Sequence, residues 1–105
     1  MIRHCVFIRF KSDVSETLKA ELFSEIDALK NHLDGILAVH IGHNVSPETG
    51  MDKGYSDGFI VDFNDAASRD VYLKDEEHQK TGGKLVAASE GGVDGIMVYD
   101  LEIAD

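Results

Sequence analysis

The sequence has little cysteine, little proline, no tryptophan and a shortage of positive charge: one Cys, one Pro, and ten Lys and Arg against twenty Asp and Glu in 105 residues. A lone thiol, Cys5, excludes an intrachain disulfide and any cysteine-based metal cluster, which suits a reducing, cytoplasmic setting. The formal net charge of −10 sets up a field that repels phosphate backbones and anionic membranes, so neither nucleic acid nor membrane is an expected partner. The opening MIRHCVFIRF is interrupted by Arg3, His4 and Arg9 before it can become a signal-peptide apolar region or a membrane span. P-loop, dinucleotide and Ser-His-Asp signatures are all missing. His40 and His43 point to opposite faces of one strand and make a poor chelate. The loop ETGMDKGYSD lacks the carboxylate spacing of an EF-hand, although it could hold a hard cation weakly. No transition metal or organic cofactor is expected.

What the chain does contain is alternation and helical spacing on a single-domain scale. Ile2, His4, Val6, Ile8 and Phe10 alternate with Arg3, Cys5, Phe7 and Arg9, which is the pattern of a strand. Ser15 or Asp13 can cap a helix whose Leu18, Leu22, Ile26, Leu29 and Leu33 recur every three or four residues until Gly35. Residues 36–45 read as a second strand and 57–63 as a third, with turn-rich sequence between them. A short helix follows, capped by Asn64 or Asp65. A second helical piece begins at Asp75 and runs toward Ala88 through Gly82 and Gly83, each of which costs about 1 kcal/mol in a helix interior. Residues 95–101 alternate again. The order βαββαβ places both helical segments on one face of a four-stranded antiparallel sheet, an α+β, ferredoxin-like arrangement.

That arrangement leaves a face without helices. Arg3, Phe7 and Arg9 would lie there with Met97, Tyr99 and Leu101, and such a patch calls for a partner sheet. Two sheets closing face to face would make a homodimeric barrel.

Chemistry-bearing residues gather on the other face. His4, Asp57 and Asp100 fall on the apolar sides of their strands, and buried polar groups need partners. They either satisfy one another in the service of the fold or form a polar patch at the mouth of a pocket. Tyr72 and His78 are six residues apart, which on one continuous helix turns them onto different faces. A break at Lys74 or Asp75, with Asp75 as N-cap and Glu76 and Glu77 in the new first turn, would let them converge. The helix N-terminus favours a neutral His78, and the three carboxylates push the other way. A neutral His78 could act as base while Tyr72 donates to a substrate carbonyl. His32, near a helix C-terminus, reads as a dipole partner.

The set HCVFIRFK, GHNVSPE, KGYSDGFIVDF, VYLKDEEHQ and the closing VYDLE resembles the stress-responsive A/B barrel (Dabb) family over nearly the whole length, as a single domain spanning 1–105. The resemblance implies a ferredoxin-like protomer, a dimeric α+β barrel and an association with stress responses. Its members range from plant stress-related proteins to a cofactor-free polyketide cyclase. Aligned with that cyclase, His78 falls on the catalytic histidine, Tyr72 on its tyrosine partner, and His4 and Asp100 on polar residues of the same pocket. Asp57 follows GYS where the cyclase has a histidine after GYT, and Ile26 replaces a pocket tyrosine. Phe59 and Val61, on the strand face of Asp57, complete the expected lining. The resemblance implies a homodimer that binds a small organic molecule, with a cofactor-independent cyclase or isomerase as its catalytic form. The alternative is a non-catalytic structural or protein-interaction module. A pocket open at His78 favours the first, and an interior filled by Phe23, Phe59 and Phe63 favours the second.

Overall fold

The computed structural model describes residues 1–104. Strand β1 (Ile2–Ile8) leads to helix α1 (Glu16–Ala28), β2 (Ile36–His43) and β3 (Asp57–Phe63). Helices α2 (Ala66–Lys74) and α3 (Glu76–Ala88) follow, and β4 (Ile96–Glu102) closes the sheet. The strands lie in the order β2-β3-β1-β4 and every neighbouring pair is antiparallel. All three helices cover one face, giving the α+β, ferredoxin-like fold expected from the alternation.

Local chemistry explains the boundaries. Ser15 accepts the Leu18 N–H at 3.1 Å and Asp65 accepts the Ser68 N–H at 2.9 Å, each satisfying a donor that its helix leaves unpaired. Regular α1 ends at Ala28, earlier than its apolar spacing suggests. A 3-10 turn, Leu29–Asn31, carries Leu29 into the core before Gly35, at φ +87°, turns the chain into β2. Any side chain at Gly35 would collide with Ser68. Gly82 and Gly83 do not interrupt α3, because Thr81, Leu85 and Ala88 anchor its inner side in the core.

The core lies between the helices and the sheet, where Ile8, Val61 and Phe63 are fully buried beneath Leu22, Phe23, Ile26, Tyr72 and Leu85. Edge strand β2 is less well covered. Ile41 faces the helices from opposite Phe59 yet remains 45% exposed.

On the open face, Met97, Tyr99 and Leu101 are 39%, 55% and 43% exposed. Beside them Arg3 grips the buried Asp62 through two hydrogen bonds of 2.9 and 3.1 Å, and His40 approaches the same carboxylate at 3.2 Å. The Arg3 hydrogen bonds hold the Asp62 carboxyl below its usual value, outweighing desolvation, and His40 adds to the effect. A carboxyl with a depressed folded pKa releases protons more readily folded than unfolded. Its contribution is therefore complete above the unfolded value of about 3.9 and is lost as pH falls through the folded value. Asp62→Asn should lower the unfolding free energy at neutral pH by about 1–3 kcal/mol, the scale of a charge-assisted buried hydrogen bond. Urea titrations across the acid range should also show a shallower loss of stability in this variant. An unchanged acid limb would mean that Arg3 and Asp62 contribute nothing to folding.

Candidate functional site

Helix α2 ends at Lys74, and Asp75 then adopts an extended conformation at φ −65° and ψ 133°. From there its carboxylate accepts the His78 N–H at 3.0 Å and caps α3. The break swings the first turn of α3 back over the last turn of α2, so the Tyr72 and His78 rings meet with centroids 4.1 Å apart at a 42° tilt. The second Asp75 oxygen lies 3.2 Å from His32 Nε2, tying the cap to the end of the first helical segment.

Beneath this pair, Tyr72 is 1% exposed and packs edge-on against Phe63 at 5.1 Å and His4 at 5.7 Å. His4 stands directly opposite Val61 on β3 and Asp100 on β4. Its Nδ1 lies 2.6 Å from Asp100 Oδ1, and the other carboxylate oxygen accepts Arg69 Nη1 at 2.9 Å. One continuous cluster therefore runs Arg69, Asp100, His4, Tyr72, His78.

Two atoms of the cluster stand out. Among the described residues, Tyr72 Oη is buried without a hydrogen-bond partner, and His78 Nδ1 is buried with none at hydrogen-bond distance and angle, although the Leu73 carbonyl acts on the same ring. Native interiors seldom leave such atoms unpaired. Burial raises the Tyr72 hydroxyl above its ordinary value, helped by the Asp75 charge. It remains a donor throughout the physiological range. Burial also lowers the His78 imidazole, and nearby His4 lowers it further, against the opposing pull of the Leu73 carbonyl and Asp75. Burial, rather than either field read from the sequence, thus tips the balance toward a neutral His78. Desolvation alone would raise Asp100, but hydrogen bonds from His4 and Arg69 hold it below the usual carboxylate range.

The expected site residues divide by position. Tyr72, His78, His4, Asp100 and Val61 come together. Asp57 lies opposite Ile8, four positions along β3 from Val61, which is about 14 Å. It sits there beside Lys19, 3.4 Å from the ammonium. Phe59 belongs to an aromatic group with Phe23, their centroids 6.2 Å apart. Arg69 was absent from the expected site. Its spacing of three from Tyr72 on a helix was a usable signal, since residues three apart share a face.

Two grooves lie away from the cluster. A groove of about 480 Å³ runs over the open sheet face past Phe7, Tyr55 and Met97, and another of about 440 Å³ passes between α1 and α3 beside Glu77 and Thr81. Neither is lined by Tyr72 or His78. His78 is half-buried, and the inner side of its helix carries Gly82 one turn on, where an added Cβ would meet nothing within 4 Å.

Residues 2–103 match the family model described as the Stress responsive A/B Barrel Domain. The chain belongs to this family. A dimeric ferredoxin-like protein of unknown function from Jannaschia sp. CCS1 is 32% identical, with 97% of this chain and 98% of that one covered at a TM-score of 0.90. A protein from Arabidopsis thaliana is 23% identical with 100% and 97% covered at a TM-score of 0.87. A hydroxynitrile lyase from Passiflora edulis is 19% identical with 99% and 94% covered at 0.84. The last two show likeness of fold. No curated protein matches the sequence. Among the described residues, no helix is long and apolar enough to cross a membrane.

Proposed function

We propose that this family member is a homodimer that binds a small carbonyl compound at Tyr72 and His78 and moves a proton next to that carbonyl without a cofactor. The observation that carries this reading is the pair of orphaned polar atoms, Tyr72 Oη and His78 Nδ1, buried in ring contact beside an ordered His4–Asp100 pair. Their roles follow from their protonation states. Tyr72, kept protonated by burial, donates to the carbonyl oxygen and stabilises the charge that develops there. His78, kept neutral, accepts the proton from the adjacent carbon through its unprotonated ring nitrogen and returns it to the product, as a cyclase or isomerase requires. Val61 floors the site next to His4. The similar fold of a hydroxynitrile lyase, a protein named for small-molecule chemistry, supports the class of function. The Jannaschia relative, described as dimeric, supports the assembly. A single buried thiol suits a cytoplasmic location.

Two observations favour the non-catalytic alternative, a structural or protein-interaction module: neither groove reaches Tyr72 or His78, and the interior is filled. Phe23, Phe59 and Phe63 are all buried and occupy the interior that an enclosed pocket would need. Thermal unfolding in the presence of aromatic, polyketide-like and keto-acid compounds separates the two readings. A ligand at one hundred times its dissociation constant adds about 2.7 kcal/mol, and each kcal/mol raises the midpoint of a domain this size by about 4–8 °C. At least one carbonyl-bearing class should produce such a rise. A flat response across all three classes would favour the non-catalytic module.

A further inference from the structure

We propose that Arg69 is a positioning residue that locks Asp100 in place and, through it, fixes His4 in the tautomer with its proton on Nδ1 and its lone pair on Nε2. An ionised carboxylate only accepts hydrogen bonds, so Asp100 at 2.6 Å from His4 Nδ1 requires a hydrogen on that nitrogen. In the neutral ring the other nitrogen is then the acceptor. Asp100 alone would hold this state loosely, because its side chain stands 25% exposed on an edge strand and could turn to water. Arg69 prevents the turn by occupying the second oxygen at 2.9 Å from the neighbouring helix, while Asp70 anchors its Nε at 3.1 Å. The titratable groups around His4 come from three elements: Asp100 from β4, Tyr72 from α2 and His78 from α3. Tyr72 supplies a donor and His78 a neutral ring, so in its neutral form His4 offers Nε2 as a second, independently oriented acceptor. A bound molecule that presents a hydroxyl or other X–H group beside its carbonyl would then have a partner for it. That use of His4 rests on the small-molecule reading above, whereas its tautomer can be read without any ligand.

Nitrogen NMR of the histidine-labelled protein provides the test. The native protein should show the His4 hydrogen on Nδ1. In Asp100→Asn, Arg69 should hold the introduced amide by its oxygen and turn the amide nitrogen toward His4, so the hydrogen moves to Nε2. Asp100→Asn with Arg69→Met frees the amide to rotate, and the Nδ1 hydrogen should return in part or whole. Asp100→Asn with Arg69→Lys retains a donor and should keep the inverted tautomer. A purely structural arginine would not couple to the tautomer in this way. An Asp100→Asn chain that behaves identically with and without Arg69 would overturn the proposal, as would an Nε2 hydrogen in the native protein. Should Asp100→Asn fail to fold, Arg69→Met alone still decides the matter. The Asp100 carboxyl resonance should then titrate higher than in the native chain, and an unchanged titration refutes the lock.

Discussion

Tyr72→Phe should make the protein more stable and, at the same time, blind to its ligand. A buried hydroxyl with no partner carries an uncompensated desolvation cost on the scale of 1–3 kcal/mol, so deleting it while keeping the ring against His4, Phe63 and His78 should raise the unfolding free energy by about 1 kcal/mol. On the proposed function, loss of the same hydroxyl also removes the donor to the carbonyl, and turnover should fall by about 10²–10³-fold, the usual effect of losing one such donor. His78→Ala should also abolish turnover, at a modest cost in stability from the lost ring contact. Urea unfolding and calorimetric titration with the best compound from the thermal screen measure both quantities. If both variants bind that compound like the native chain, and His78→Ala costs more than about 2 kcal/mol of stability, the histidine belongs to the scaffold.

Opposed effects of this kind are expected where a site departs from the rules that govern the rest of the fold. Burial leaves Tyr72 without a partner, yet the surrounding packing obeys ordinary core logic. The price appears as a local instability that a phenylalanine removes.

The sequence made part of this site readable and hid the rest for identifiable reasons. Convergence of Tyr72 and His78 was legible because it depends on local chemistry: an aspartate that caps, two glutamates that suit a first turn, and a spacing that needs a break. The pairing of His4 with Asp100 was half legible. Alternation puts both on the apolar sides of their strands, but only the register of β1 against β4 sets them opposite each other. Asp57 shows the same limit from the other side. Its face was read correctly, whereas its distance from His4 depends on where β3 pairs with β1. Arg69 was missed because its partner comes from a strand 31 residues later. The early end of α1 has a different cause, since Leu29 and Leu33 fit either a longer α-helix or a tightened turn, and the close fit of Gly35 against Ser68 arises only in the folded chain.

Tyr99→Asp should convert a dimer into monomers. Tyr99 is the most exposed of the three large apolar side chains that β4 presents on the open face, and its cross-strand neighbour is Cys5 rather than a base that could receive a new carboxylate. The chain already carries a formal charge of −10, so two copies repel unless their contact surface is low in net charge. The open face meets that condition, because its buried acid, Asp62, is paired with Arg3 and approached by His40. An unpaired aspartate placed in such a contact costs at least about 2.7 kcal/mol in desolvation and repulsion, which raises the dissociation constant about 100-fold. Sedimentation at low micromolar concentration should show the native chain as a dimer and the variant as a monomer. Added salt should tighten the native dimer by screening the long-range repulsion between copies. A native chain that sediments as a stably folded monomer would mean that Met97, Tyr99 and Leu101 tolerate water, and the barrel would have no basis in this face.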